Sequence, residues 1–114
     1  MTHFRERKRA KRAKDRERRL EGTYGLTAEE YQTILDYQGG KCWVCQRATG
    51  ASKALAVDHE HESGQIRCIA CGRCNFELLG RYDVPALKRA IEILEGHYPA
   101  ERALGRKVFV PEGD

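Results

Sequence analysis

The first residues in this sequence that could do chemistry are its five cysteines, four of which stand in two CxxC pairs. Cys42 and Cys45 form the first pair, and Cys71 and Cys74 form a second pair that 25 residues separate from the first. Each tight turn presents two thiolates, and four thiolates complete the tetrahedral shell of Zn²⁺. A closed shell leaves no open coordination position, so we predict one structural zinc ion per chain that takes no part in a reaction.

The fifth cysteine makes the choice of ligands ambiguous. Cys68 stands three residues before Cys71, so these two could also form the second pair. We favour Cys71 and Cys74, because Cys68 continues the alternation that begins at Ile66 in a predicted strand. Cys68 is then predicted to be a packed thiol.

Polar residues that could bind a hard cation and move a proton lie close to the cysteine pairs. Asp58, His59 and His61 fall between the pairs, and Asn75 directly follows the last cysteine. Carboxylate and amide oxygens suit Mg²⁺ or Mn²⁺, so Asp58 and Asn75 are the predicted ligands of a catalytic ion. An unperturbed imidazole has a pKa of about 6.5, which makes His59 the candidate general base. Taken singly, each residue also has an ordinary structural interpretation, such as capping a turn or a helix.

Three helices are predicted around these residues. Thr27 and Glu30 form a capping box that begins a helix over 28–38. A short helix is predicted at 75–79, and a longer one over 83–96. The longer helix has an apolar face that we assign either to the core or to a dimer interface. This face consists of Leu87, Ala90, Ile91 and Leu94.

Two short strands are predicted between the cysteine pairs. Residues 55–57 alternate in polarity, and after a turn at 62–65 the chain can pair back at 66–68 as a β-hairpin. Strand alternation puts Asp58 and His59 on opposite faces, so a shared site requires a bend between them. Helices together with one small sheet predict an α+β domain.

The net charge of +4 is unevenly distributed along the chain. The first 22 residues hold ten Lys or Arg and four Asp or Glu, whereas the remainder holds eleven and thirteen. A basic arm on a mildly acidic body favours a polyanionic partner such as nucleic acid, and the alternative is a solubilising or disordered tail. We expect the arm to become helical only when phosphates neutralise it. The predicted DNA contacts are Arg5, Arg7, Lys8, Arg9, Lys11, Arg12 and Lys14, together with Arg67 and Arg73.

The length and hydropathy of the chain bound its organisation and location. No stretch resembles a signal peptide or approaches the roughly 20 apolar residues of a membrane span, so we predict a cytoplasmic protein without a membrane partner. We divide the chain into a basic arm at 1–22, a zinc-stapled domain at 23–96 and a tail at 97–114. Within the tail, 108–110 could be a short strand or a contact for a partner.

Together these motifs resemble the recombination endonuclease VII family of phage nucleases, within the His-Me finger (HNH) superfamily. The matching segments are 24–27, 39–45, 57–61, 64–67, 71–75 and 79–80. The resemblance implies a ββα-metal fold with zinc on the four paired cysteines, Asp58 and Asn75 on the catalytic ion, and His59 as general base. His61 would contact phosphate or the leaving group. Cys68 stands where the family usually has glycine, which leaves it outside the zinc site.

The resemblance also implies a substrate, namely four-way junctions and other branched DNA, in the cytoplasm of the phage host. The first alternative is an HNH nickase or duplex endonuclease without branch preference, and the second is a non-catalytic zinc-ribbon module that binds DNA. Junction resolution requires two cuts, which favours a homodimer. The region beyond Gly80 is short compared with the dimer-forming helices of the best-known members, so the sequence does not decide between a monomer and a homodimer.

Overall fold

The computed structural model describes residues 2–111, with side chains from Arg5 onward. Met1 in the predicted arm and 112–114 in the predicted tail lie outside the described residues. Helices and a small sheet follow one another, which confirms the α+β class. The elements are α1 (Thr2–Arg19), the π-helix π1 (Leu20–Tyr24), α2 (Ala28–Tyr37), β1 (Ala56–His59), β2 (Ile66–Ala70), the π-helix π2 (Cys74–Leu79), α3 (Val84–Leu94) and α4 (Pro99–Leu104).

The described residues form two compact units, one up to Gly80 and one from Arg81 onward. The domain boundaries that we placed at 22 and 96 remain a prediction. No helix in this part of the chain combines the length and the apolar character needed to cross a membrane.

The basic segment that we expected to become helical on phosphate is already the helix α1. Leu20, the first residue of π1, is buried in the core, with 5% of its surface exposed. The guanidinium carbon of Arg16 lies 4.5 Å from the centre of the Tyr31 ring, within the range of a cation–π contact. These contacts attach the C-terminal end of α1 to the rest of the unit, which gives the helix support that the sequence pattern does not reveal.

Helix α2 begins with the predicted capping box. The Thr27 hydroxyl accepts a hydrogen bond from the Glu30 N–H at 3.0 Å, and the Glu30 carboxylate accepts one from the Thr27 N–H at 2.9 Å. From this fixed start, Tyr31 enters the core and its hydroxyl donates to the Leu55 carbonyl at 2.6 Å. The core is a small cluster formed by Leu20, Leu26, Tyr31, Leu55, Val57 and Ile69.

Strands β1 and β2 form the predicted antiparallel hairpin. Asp58 pairs with Cys68, but the next residue, His59, pairs with Ile66. Arg67 is therefore the extra residue of a β-bulge, which bends the hairpin between Asp58 and His59. This irregularity lies at the position where the sequence interpretation required a bend.

The hairpin turn is held by the side chain of Glu60. Its carboxylate accepts hydrogen bonds from the N–H groups of Glu62 at 2.8 Å and Ser63 at 2.9 Å. These bonds lower the pKa of Glu60. The residue between the two histidines therefore fixes the turn that carries them.

Gln38, directly after α2, joins that helix to the sheet and is 5% exposed. Its amide nitrogen donates to the carbonyls of Ile69 at 2.7 Å and Lys41 at 2.9 Å, and its amide oxygen accepts from the Ile69 N–H at 2.8 Å. One side chain thus pairs with both backbone groups of Ile69, as a neighbouring strand would.

Replacement of Gln38 by leucine is expected to lower the free energy of unfolding by about 1–3 kcal/mol, because it leaves the buried N–H of Ile69 without its acceptor. Urea denaturation followed by circular dichroism measures this change. The matched control is Gln32→Leu, which removes an exposed hydrogen bond to Asp36 on α2 and is expected to cost less than about 0.5 kcal/mol. Equal stabilities of the two variants would contradict the role of Gln38.

The second unit contains α3 and α4. The Asp83 side chain caps α3 by accepting from the Ala86 N–H at 3.0 Å, close to the predicted start. The face of α3 that we assigned to a core or an interface is largely open, since Ile91 is 53% and Leu94 is 86% exposed. Helix α4 was not predicted, and 108–110 is exposed and is not a strand.

Candidate active site and zinc centre

The four paired cysteines meet at one place in the structure. The Sγ atoms of Cys42, Cys45, Cys71 and Cys74 all lie within 4.8 Å of one another. A tetrahedral zinc with Zn–S bonds of about 2.3 Å needs sulfurs roughly 3.8 Å apart, so the cluster fits the ion after a small contraction. The predicted cysteine cluster is therefore present and could hold zinc.

The environments of two of these thiols differ. Backbone hydrogen bonds at Ala48 and then Arg47 lower the pKa of Cys45 to about 6, so this thiol is largely ionised at neutral pH. Burial, followed by the neighbouring thiols Cys71 and Cys42, raises the pKa of Cys74 to about 12. Zinc binding at neutral pH therefore has to displace a proton from Cys74.

Cys68 lies outside the zinc cluster, as the residue pattern favoured. It stands opposite Asp58 across the hairpin, and its Sγ is 4.0 Å from the Asp58 Oδ2. Burial and the Asp58 carboxylate raise the pKa of Cys68. This thiol therefore stays protonated at neutral pH and packs beside the carboxylate.

Asp58, the predicted metal ligand on β1, is 4% exposed. The Arg67 Nε donates to the Asp58 Oδ2 at 2.7 Å, and the Arg67 Nη2 donates to Oδ1 at 2.9 Å. The two hydrogen bonds raise the pKa of Arg67, whose side chain stays 42% exposed. The bulge at Arg67 directs its guanidinium to the carboxylate in the two-pronged geometry that stabilises a buried charge.

The two histidines lie side by side where β1 ends. The ring centres of His59 and His61 are 5.1 Å apart, with the ring planes at 49°. Tyr24, the last residue of π1, adds a third ring, centred 6.1 Å from that of His59. His59 is half-buried and His61 is exposed, so the pair borders solvent.

Asn75 lies in the first turn of π2 and is half-buried. Its N–H donates to the Cys71 carbonyl at 2.9 Å, and its carbonyl accepts from the Gly80 N–H at 2.9 Å. A Cβ atom at Gly80 would lie 3.0 Å from the Asn75 carbonyl, so a side chain there would displace Asn75. Strand β1 contacts π2, which brings the elements that carry Asp58 and Asn75 together.

The donor types at Asp58 and Asn75 fit a hard cation, because a carboxylate and an amide oxygen are ligands that Mg²⁺ accepts. The buried Asp58 carboxylate already has a positive partner in Arg67. A metal ion at this carboxylate therefore either shares the carboxylate with the guanidinium or displaces the guanidinium from it.

The predicted DNA contacts occupy different settings. The seven cationic residues from Arg5 to Lys14 are exposed along α1. Arg67 is paired with Asp58, and Arg73 lies 3.8 Å from Glu77 in an exposed ion pair. An exposed pair of this kind contributes little to stability, so Arg73 is easily drawn to another anion.

Sequence reasoning missed three contacts around the site. These are the ion pair of Asp58 with Arg67, the ring contact of Tyr24 with His59, and the hydrogen bonds of the Gln38 side-chain amide to Ile69. The sequence offered a signal for only the first of these contacts. A bend between Asp58 and His59 implies a β-bulge, and a bulge places an extra side chain, here that of Arg67, next to the bend.

The family model described as recombination endonuclease VII matches residues 17–96. The Gene 59 protein of Mycobacterium phage D29 is 44% identical over 115 residues, which cover 99% of this chain and 69% of that protein. The Gene 59 protein of Mycobacterium phage L5 is 42% identical over 115 residues, which cover 99% of this chain and 70% of that protein. No solved structure matches the chain. The resemblance carried by the sequence motifs is confirmed: the chain belongs to the recombination endonuclease VII family, and is thereby a nuclease with DNA as its substrate.

Proposed function

We propose that this nuclease hydrolyses phosphodiesters in branched DNA, in the cytoplasm of a phage host, with His59 as the general base. The observation that carries the proposal is the setting of His59. It directly follows the register shift between β1 and β2, borders solvent beside His61, and belongs to the strand that contacts the helix of Asn75. A base in this position reaches water on one side and the ligand-bearing elements on the other.

The other site residues would bind the catalytic ion or contact the substrate phosphate. Asp58 and Asn75 would hold Mg²⁺ or Mn²⁺, which supplies positive charge beside the scissile phosphate and the leaving oxygen. His59 accepts the proton of the attacking water at a ring nitrogen. His61, exposed beside it, donates a hydrogen bond to a phosphate oxygen.

The zinc centre supports these residues without joining the reaction. A zinc ion held by the four clustered thiolates would have a closed shell. Cys74 is the first residue of π2, and Asn75 follows it directly. Zinc thereby fixes the start of the element that carries Asn75.

Branched DNA poses a stoichiometric requirement, because resolving a four-way junction takes one cut in each of two opposing strands. One chain carries one such site. The open apolar face of α3, with Ile91 and Leu94 exposed, supports association with a second copy.

The test compares a labelled four-way junction with a linear duplex of the same sequence, with and without Mg²⁺. We expect paired, Mg²⁺-dependent cuts in the junction alone. Equal cleavage of both substrates would replace the proposal with a general duplex endonuclease. Binding without cleavage in Mg²⁺ or Mn²⁺ would leave only a DNA-binding zinc module.

Neutralising the basic side chains of α1 is expected to weaken DNA binding and to flatten its dependence on salt. Each lost phosphate contact reduces the slope of log K against log salt by about 0.9 on duplex DNA. The variant changes the seven cationic residues from Arg5 to Lys14 to glutamine and keeps Arg16 and Leu20, which contact the folded unit. Fluorescence anisotropy at several salt concentrations measures the slope.

The matched control changes Lys88 and Arg89, two exposed cations of α3, to glutamine. This variant is expected to keep more of the slope than the α1 variant. If the α1 variant retains the full slope, α1 has no part in binding DNA.

A further inference from the structure

A cavity of about 430 Å³ in the first unit includes an apolar surface that the proposed reaction does not use. Its walls are apolar and its floor is charged. The walls include Ile34, Tyr37, Trp43 and Leu79, and the floor is formed by Asp58 and Arg67. The volume is that of a small-molecule pocket, which ranges from about 300 to 1,000 Å³.

Two large aromatic rings stand at this cavity instead of in the core. The rings of Tyr37 and Trp43 are stacked, with centres 6.2 Å apart and planes at 21°. Tyr37 is 83% exposed and Trp43 is 50% exposed. Exposed flat rings of this kind offer faces on which nucleic acid bases stack, whatever the base.

The Arg67 guanidinium at this cavity can donate hydrogen bonds to a nucleotide, while its charge is balanced by Asp58. A guanidinium has five N–H donors, and two of those of Arg67 bind Asp58. Three donors remain on a side chain that is 42% exposed, and they suit a phosphate oxygen. The amide of Gln38 also lines the cavity, but its hydrogen bonds already go to Ile69 and Lys41. The cavity thus offers stacking surfaces and unused guanidinium donors, with little to read a base edge.

We propose that this cavity binds an unpaired base of the DNA substrate, stacked on Trp43 and Tyr37, with its phosphate on Arg67. The inference rests on the proposed function, because a branch point interrupts the continuous stacking of duplex DNA and lets a base leave its pair at lower cost. Asp58 lies both at the cavity floor and among the proposed ligands of the catalytic ion. A base held here therefore places a neighbouring phosphodiester beside β1.

Trp43 is the one tryptophan of the chain, so the intrinsic fluorescence reports on this cavity directly. The experiment titrates the full chain, in Ca²⁺ to prevent cleavage, with an oligothymidine strand and with an abasic strand of equal length and charge. We expect the oligothymidine to quench Trp43 and to bind at least about fivefold more tightly, the lower limit for stacking one base. Equal affinities and equal quenching by the two strands would overturn the proposal.

The test variant is Tyr37→Ala, which removes a ring that is 83% exposed. It is expected to weaken oligothymidine binding about fivefold or more and to leave abasic binding unchanged. The control is Phe109→Ala, which removes a similarly exposed ring, 79% accessible, from the second unit and should change neither affinity. Equal losses on both strands would assign Tyr37 to general DNA contact.

The outcome is separable from that of the proposed function. Junction cleavage without a base-dependent change in Trp43 emission would remove the base site and keep the nuclease assignment. A base-dependent change without cleavage would keep the site and remove the proposed branched-DNA activity.

Discussion

Cys71→Ser is expected to lose zinc and to unfold the unit that ends at Gly80. The apolar core of this unit is a small cluster, and a structural zinc contributes about 10–16 kcal/mol of apparent binding free energy in zinc-finger peptides. That contribution is comparable to the whole stability of a typical domain, about 5–15 kcal/mol. Zinc content by atomic absorption and the far-ultraviolet circular dichroism spectrum measure the two losses together.

The matched control is Cys68→Ser, three residues earlier on the same hairpin. Cys68 lies beside Asp58 and outside the four-sulfur cluster, so this variant should keep its zinc and its fold. Loss of zinc in Cys68→Ser would show that Cys68 belongs to the ligand set, and retention of zinc and fold in Cys71→Ser would show that Cys71 does not.

His59→Ala is expected to reduce junction cleavage by at least about 100-fold, because a positioned general base contributes roughly 10²–10⁴ to the rate. The fold should survive, since the contacts of the His59 ring are with Tyr24 and His61 near the surface. Cleavage rates under single-turnover conditions give the effect, and zinc content and circular dichroism confirm that the structure is retained.

His97→Ala is the control for His59→Ala, because it removes an exposed imidazole from the turn after α3. Its cleavage rate should equal that of the unchanged chain. His61→Ala is expected to fall between the two, as a phosphate contact does. Full activity in His59→Ala together with a large loss in His61→Ala would show that His61, and not His59, is the general base.

The elements that sequence patterns predicted are those fixed by neighbouring residues. The capping box of Thr27 and Glu30 acts across three residues, and the hairpin needs only short alternation and a turn. The cysteine cluster could also be predicted, because two CxxC pairs specify a tetrahedral site whatever fold the chain between them adopts.

What sequence patterns did not predict depends on the folded path of the chain. The amide of Gln38 binds Ile69 across 31 residues, and nothing near Gln38 in the sequence indicates that partner. The ion pair of Arg67 with Asp58 was not predicted either, because it depends on the bulge that sets Arg67 beside that carboxylate. Helix α1 was expected to form only on phosphate. The sequence does not show that Leu20, directly after α1, packs into the core and supports the helix.

The second unit shows the same limit in another form. The periodicity of α3 predicted the helix and its apolar face correctly, but periodicity does not state what covers such a face. Helix α4 has six residues between Pro99 and Leu104, too few for a periodic signal. The residues 75–79 were predicted as an ordinary helix and form the π-helix π2, whose wider turn depends on the close approach at Gly80.

The bonds of Gln38 to Ile69 also decide how this hairpin behaves towards other chains. A two-stranded sheet exposes the backbone of its outer strands, and free edges invite pairing with further copies and eventually aggregation. At the edge of β2 the N–H of Ile69 is taken by Gln38, and its carbonyl by Gln38 and by the Trp43 N–H. That position on β2 is closed to a third strand, so a second copy of the chain cannot extend the sheet by pairing with Ile69.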